Sequence, residues 1–161
     1  MIFLLEGPDG AGKTTLAHRI DVGCKYIKKF HFGPPESDEA AYNYYKVYAE
    51  AIRSVGPTEV AIFDRSWYSD MVYGPVMRGR DEMSKEHADM LSAMCVAAGG
   101  GMVIYCTAPV KTLWSRCQKR GETYLQNYEQ LKVVDEYYKK VMSNQVSYLP
   151  VIRYDTAARW S

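Results

Sequence analysis

Residues Gly7-Pro-Asp-Gly-Ala-Gly-Lys13-Thr14-Thr15 carry the spacing G-x-x-x-x-G-K-[ST], and the chemistry of that pattern is phosphate binding. Glycine at 7, 10 and 12 lets the backbone turn tightly enough for several N–H groups to converge on one anion at a helix start. Gly7, Asp9, Gly10, Ala11, Gly12, Lys13, Thr14 and Thr15 are therefore the expected contacts of a nucleoside triphosphate. Lys13 would supply a mobile cation for the β- and γ-phosphates, and Thr14 a hydroxyl for Mg²⁺. Asp64 follows the apolar run Val60-Ala-Ile-Phe63, where a second carboxylate approaches such a metal ion; a helix cap is the plainer alternative. Arg65 comes next, and its planar fork suits a phosphate monoester. Arg116, Lys119 and Arg120 lie at i, i+3 and i+4 on one helix face and run into Gly121-Glu122. A hinged cationic segment can close over transferring phosphates, although cations at a helix C-terminus also complement its dipole.

Short apolar runs alternate with longer helical patterns, which predicts an α/β domain with a mainly parallel sheet. Met1–Leu5 reads as the strand entering the phosphate-binding loop, and Leu16–Ile20 as the start of the helix leaving it. The strand pattern over 25–32 ends at Gly33-Pro34-Pro35. A helix over 38–54 places Tyr42, Tyr45, Ala49 and Ile52 on one face. Residues 60–63 form a buried strand, and 84–98 a helix with Met83, His87, Met90, Leu91 and Met94 as its apolar stripe. Gly99-Gly-Gly101 precedes the strand 102–106, and Pro109 opens a helix to about Lys119. A long helix near 126–143 carries Leu131, Val134, Tyr138 and Val141, and 149–154 supplies a fifth strand.

The chain has 161 residues, enough for one domain with a single core. Its 20 basic and 19 acidic residues nearly cancel, so stable nucleic-acid binding is not expected. Cys24, Cys95, Cys106 and Cys117 lack metal-ligand spacing and read as reduced thiols of a cytoplasmic protein. No apolar stretch reaches membrane-spanning length. Small-molecule nucleotides are the expected partners, with a homodimer left open. The 14 tyrosines suit a hydrogen-bonded core or the wall of a pocket for a flat base. Phe32, Tyr42, Tyr45, Tyr48 and Trp67 are the candidate base-stacking aromatics. His18, His31 and His87 show no catalytic spacing.

The segment Asp64-Arg-Ser-Trp-Tyr-Ser-Asp-Met-Val-Tyr-Gly74 resembles the DR-[YSH]-x-x-S-x-x-[AV]-Y segment of thymidylate kinases. Glu6–Thr15 is similar to that family's P-loop, and Arg116-x-x-x-Arg120-Gly-Glu122 resembles its lid. The resemblance implies a three-layer P-loop NTPase fold on a five-stranded parallel sheet of order 2-3-1-4-5. One kinase domain would span 1–161, with a lid at about 116–125. The implied activity is a Mg²⁺-dependent phosphotransferase moving the γ-phosphate of ATP to dTMP. Carried over by position, Thr14 and Asp64 would serve Mg²⁺, Asp9 the acceptor's 3′-hydroxyl and Arg65 its phosphate. Tyr73 would occupy the place of a 2′-hydroxyl, Asp70 would face the base edge, and Arg116 and Arg120 the transferring phosphoryl group.

The chain also departs from that family. Phe32-Gly-Pro-Pro-Glu36 holds no arginine where the family has one, which turns attention to Arg78 in Gly74-Pro-Val-Met-Arg-Gly79. Relatives continue past Asp155-Thr156 into a final helix. An ionised Asp70 only accepts hydrogen bonds, from thymine N3–H, a cytosine amine or a modified pyrimidine's hydroxyl. The acceptor is thus read as dTMP or a modified pyrimidine deoxynucleoside monophosphate. The alternative is a kinase acting on a hydroxyl, of a deoxynucleoside or a hydroxymethylated base, with Glu36 or Asp9 as the carboxylate at the attacking oxygen. A nucleotide switch is disfavoured, because the guanine-reading N-K-x-D is missing.

Overall fold

Apolar side chains point to both faces of the strands, so both faces of the sheet need cover. β1 (Ile2–Glu6), β2 (Ile27–His31), β3 (Val60–Asp64), β4 (Gly101–Thr107) and β5 (Val151–Asp155) form one sheet in the order β2-β3-β1-β4-β5. All four pairings are parallel, as the sequence pattern and the family order predict. The computed structural model describes residues 1–23, 26–144 and 149–158. Cys24 and the expected start of β2 at Lys25 lie outside them. Among the described residues no helix is long and apolar enough to cross a membrane.

The helices are α1 (Lys13–Gly23), α2 (Asp38–Arg53), α3 (Trp67–Tyr73), α4 (Lys85–Ala97), α5 (Val110–Arg120) and α6 (Tyr128–Asn144). Period-two alternation splits the core. Ile2, Leu4, Ala61 and Phe63 pack under Tyr48 and Ile52 of α2 and Leu91 of α4, whereas Leu5 and Ile62 meet Ala17 of α1. Leu113 of α5 joins Leu131, Val134 and Tyr138 of α6 in another cluster. Ser37 and Ser84 cap α2 and α4 by accepting from the N–H groups of Ala40 and His87, both at 3.1 Å.

Two stripes need correction. On α2, Ala49 and Ile52 are buried as expected, but Tyr42 is 80% exposed and Ala41 takes its place inside. Neighbouring residues stand about 100° apart around a helix, so a stripe anchored on the larger side chain is turned away from the true one. On α4, Leu91 is buried with Ala88, Ser92 and Cys95, while Met90 faces outward. Residues 67–78 have no element in the sequence reading. They form α3 and a π-helical turn, Gly74–Arg78, in which Pro75 interrupts the regular ladder.

Candidate active site

The parallel register brings the carboxyl ends of the strands together: Leu5 is paired with Asp64, and Asp64 with His31. In open α/β sheets ligand crevices lie at this end, where the strand order reverses. The loop from Gly7 to Gly12 fills the gap between β1 and α1. Gly7 has φ +139, and a Cβ there would stand 2.3 Å from the Cys106 carbonyl oxygen; Gly10, with φ +80, would strike the Leu113 carbonyl at 2.4 Å. No other residue type fits either position. Lys13 is buried in the loop and donates to the carbonyls of Gly7 at 2.6 Å and Pro8 at 2.9 Å. Burial pushes its ammonium down to about 8, and the nearby Arg65 charge adds to the effect.

At the N-terminus of α1, Thr14 Oγ1 donates to Asp64 Oδ2 at 3.0 Å. A hydroxyl and a carboxylate in contact beside the phosphate loop fit a Mg²⁺ ion held partly by phosphates and water. His31 Nδ1 lies 3.3 Å from the same oxygen. That contact comes from strand register, which no residue spacing reveals.

Arg65 has φ +72, the only left-handed non-glycine among the described residues. Such a conformation costs about 1–2 kcal/mol and persists only where its surroundings hold it. Its N–H donates to the Leu5 carbonyl at 3.1 Å, and the next N–H, of Ser66, to Glu6 Oε1 at 2.7 Å. The turn sends the guanidinium back across the loop, where it pairs with Asp9 and lies 5.0 Å from the Tyr73 ring centre. Tyr73 donates to the other Asp9 oxygen at 2.9 Å. Burial pushes the Asp9 carboxyl up, but the charges of Arg65 and Lys13 and the Tyr73 hydrogen bond outweigh it and hold it below its ordinary value.

Beyond Arg65 opens a cavity of about 370 Å³ whose walls include Phe32, Pro34, Tyr48, Tyr73 and Tyr124. Asp70 is 3% exposed on its wall and accepts from the Tyr48 hydroxyl at 2.6 Å. Burial pushes its carboxyl up to about 7, against the opposing Tyr48 bond. Arg78 also lines the cavity. Its Nε donates to Glu82 at 2.6 Å, its Nη2 completes a bidentate pair and its Nη1 reaches the Tyr124 hydroxyl. Tyr124 is thereby drawn from the α5–α6 loop over the pocket, with its ring 6.0 Å from that of Tyr73.

On the other side of the loop lies a larger cavity of about 770 Å³. Arg19, Arg116, Lys119 and Arg120 line it, with Thr15, Leu16 and Tyr154, and among the described residues no acidic side chain does. Arg116 donates to the Gly10 carbonyl at 3.1 Å and, through both terminal nitrogens, to Thr156 at 2.8 and 3.0 Å. Gly10, Gly12 and Arg120 line both cavities, so the two meet over the loop. Arg120 pairs with Glu122 at 3.0 Å across Gly121, whose φ of +65 ends α5.

The fold thus gathers Asp9, Lys13, Thr14, Phe32, Arg65, Asp70, Tyr73, Arg78 and Arg120 around one cavity, with Asp64 beside it on Thr14. Arg116 stands on the other cavity. Of the candidate stacking residues only Phe32 and Tyr48 line the first pocket; Tyr42, Tyr45 and Trp67 do not, and neither does Glu36. Tyr124 and Glu82 went unforeseen because loop closure, not local pattern, brings them in.

Comparison with known proteins agrees with this architecture. Residues 1–99 match the model of the family described as Polyphosphate kinase 2 (PPK2). The YorR protein of Bacillus subtilis, solved in complex with phosphorylated GDP, aligns at a TM-score of 0.79 and 22% identity, over 100% of this chain and 88% of that one. Deoxyadenosine kinase from M. mycoides, with bound dATP, aligns at 0.68 and 20%, over 99% and 93%. Polyphosphate kinase 2 from Arthrobacter aurescens TC1 aligns at 0.71 and 14%, over 94% of this chain and 59% of that one. At such identities the likeness is one of fold. No curated protein sequence gives a significant match. With more than half of its length inside the family model, the chain belongs to the polyphosphate kinase 2 family of P-loop kinases.

Proposed function

We propose that this protein is a cytoplasmic nucleotide kinase that transfers the γ-phosphate of ATP to a deoxynucleoside monophosphate, dTMP or a related pyrimidine nucleotide. The observation that carries the reading is the meeting of two unlike cavities over Gly10, Gly12 and Arg120. One is walled by aromatic rings with a buried carboxyl, which suits a flat base with a hydrogen-bond donor on its edge. The other is cationic, which suits a polyphosphate tail. Lys13 would draw the β- and γ-phosphates together, and Thr14 and Asp64 would hold Mg²⁺, whose charge offsets that of the transferring group. Arg65 would take the acceptor phosphate, exchanging Asp9 for it, while Asp9 turns to the sugar. An acceptor oxygen that is already anionic needs no general base. The thymidylate-kinase resemblance of residues 64–74 supports this acceptor class, and the nucleotides bound by the similar structures support a nucleotide site in general.

A second reading keeps the acceptor and changes the donor to inorganic polyphosphate. Four cations in the larger cavity, with no acidic residue among the described residues that line it, favour it, as does the family to which the chain belongs. Initial rates of acceptor phosphorylation, with ATP or polyphosphate as donor and a panel of nucleosides and monophosphates as acceptors, separate the readings. Turnover of dTMP with ATP and not of thymidine is expected, and Arg65→Ala should raise the acceptor KM about tenfold or more at an unchanged donor KM. Phosphorylation of thymidine and not dTMP would overturn the acceptor class. Activity with polyphosphate alone would select the second donor.

A further inference from the structure

We propose that Glu6 is a positioning residue, which holds the left-handed turn at Arg65-Ser66 from beneath the phosphate loop and so sets where the Arg65 guanidinium lies. Glu6 is fully buried at the end of β1. Four donors converge on its two oxygens. Oε1 accepts from the Ser66 N–H and the Ser66 hydroxyl, both at 2.7 Å; Oε2 accepts from Ser69 Oγ at 2.8 Å and the Tyr138 hydroxyl at 3.1 Å. A carboxylate only accepts, so it satisfies all four without asking any hydroxyl to turn round. Burial pushes the Glu6 carboxyl up, opposed by Ser66 and Ser69 and by the charges of Lys13 and Arg65.

The arrangement is more than a satisfied core polar group. Its shortest bonds go to the residue after Arg65, while the preceding β1 residue, Leu5, accepts from Arg65 itself. The last two residues of β1 therefore grip the turn on both sides of the one strained φ. The same carboxylate ties that turn to α3 through Ser69 and to α6 through Tyr138, so the guanidinium is referenced to three elements at once. Glutamine keeps the shape, but its NH2 must take the place of one oxygen, and only the Ser69 and Tyr138 hydroxyls can turn round to accept from it.

The kinetic part of this inference rests on the assignment of Arg65 to the acceptor phosphate; the conformational part rests on geometry alone. The test uses Glu6→Gln, Arg65→Ala and Arg65→Gly with their double variants. Glu6→Gln should raise the acceptor KM about tenfold with the donor KM within about twofold, and should add nothing in the Arg65→Ala background. It should also lower Tm, and by less than half as much in the Arg65→Gly background, since glycine adopts a φ of +72 freely. Effects that multiply in the Arg65→Ala double variant, or an equal Tm loss with the glycine present, would overturn the proposal. If Arg65→Ala leaves the acceptor KM unchanged, the acceptor assignment fails and the Tm comparison alone decides the role of Glu6. Glu6→Asp, with its charge kept and its reach one methylene shorter, serves the same comparison if Glu6→Gln does not fold.

Discussion

Replacing Asp70 by asparagine should make the protein more stable at pH 8 and leave it nearly unchanged at pH 4. Asp70 is 3% exposed, and burial lifts its carboxyl from the ordinary 3.8 to about 7. Below about pH 4 the group is neutral in both the folded and the unfolded chain, and above about 7 it is ionised in both. Between those limits the folded protein holds the proton more tightly, so stability falls as pH rises from about 4 to about 7 and then levels off. Roughly three pH units at about 1.4 kcal/mol each set the full loss at about 4 kcal/mol. Asparagine resembles the protonated acid, with an oxygen that accepts from the Tyr48 hydroxyl and a donor group (NH2) in place of the acid O–H, and never ionises. In urea unfolding, the two proteins should agree within about 1 kcal/mol at pH 4, and the variant should lead by about 2–4 kcal/mol at pH 8. A gap of the same size at both pH values, or a variant weaker at pH 8, would refute the assignment of a buried, strongly desolvated carboxyl. The result also bears on substrate reading, because in the ionised form neither oxygen carries a proton, and the one not bonded to Tyr48 is open to a base amine.

Two further outcomes test the remaining parts of the site. Arg116→Ala should raise the donor KM about tenfold and leave the acceptor KM unaffected, because Arg116 joins the loop at Gly10 to Thr156 on the cationic side only; an acceptor effect of equal size would place it elsewhere. Asp64→Asn should raise the Mg²⁺ concentration for half-maximal rate about tenfold while the protein stays folded. An unaltered Mg²⁺ dependence would remove Asp64 and its bond to Thr14 from the metal site.

Much of the fold can be read from local pattern because each decisive signal lies within a few residues. Gly7 and Gly10 mark a backbone that nothing larger could follow, and the apolar runs at 2–5 and 60–63 are strands buried on both faces. Helix faces are less legible. Tyr42 and Met90 look like core residues by composition, yet Ala41 and Ala88 lie inside, because close helix packing favours the smaller side chain.

By itself the sequence determined the phosphate loop, the sheet class and the residues able to do chemistry, since these depend on glycine spacing and hydrophobic period. Tertiary structure alone decided how those residues are paired. Strand register sets His31 beside Asp64, and the left-handed turn at Arg65 folds its charge onto Asp9, 56 residues away. Chain closure sets Tyr48 on Asp70, and Arg78 between Glu82 and Tyr124. The reason is physical. A motif fixes which groups are present, whereas burial and long-range contacts fix which charges are neutralised, and so which of the two cavities remains cationic.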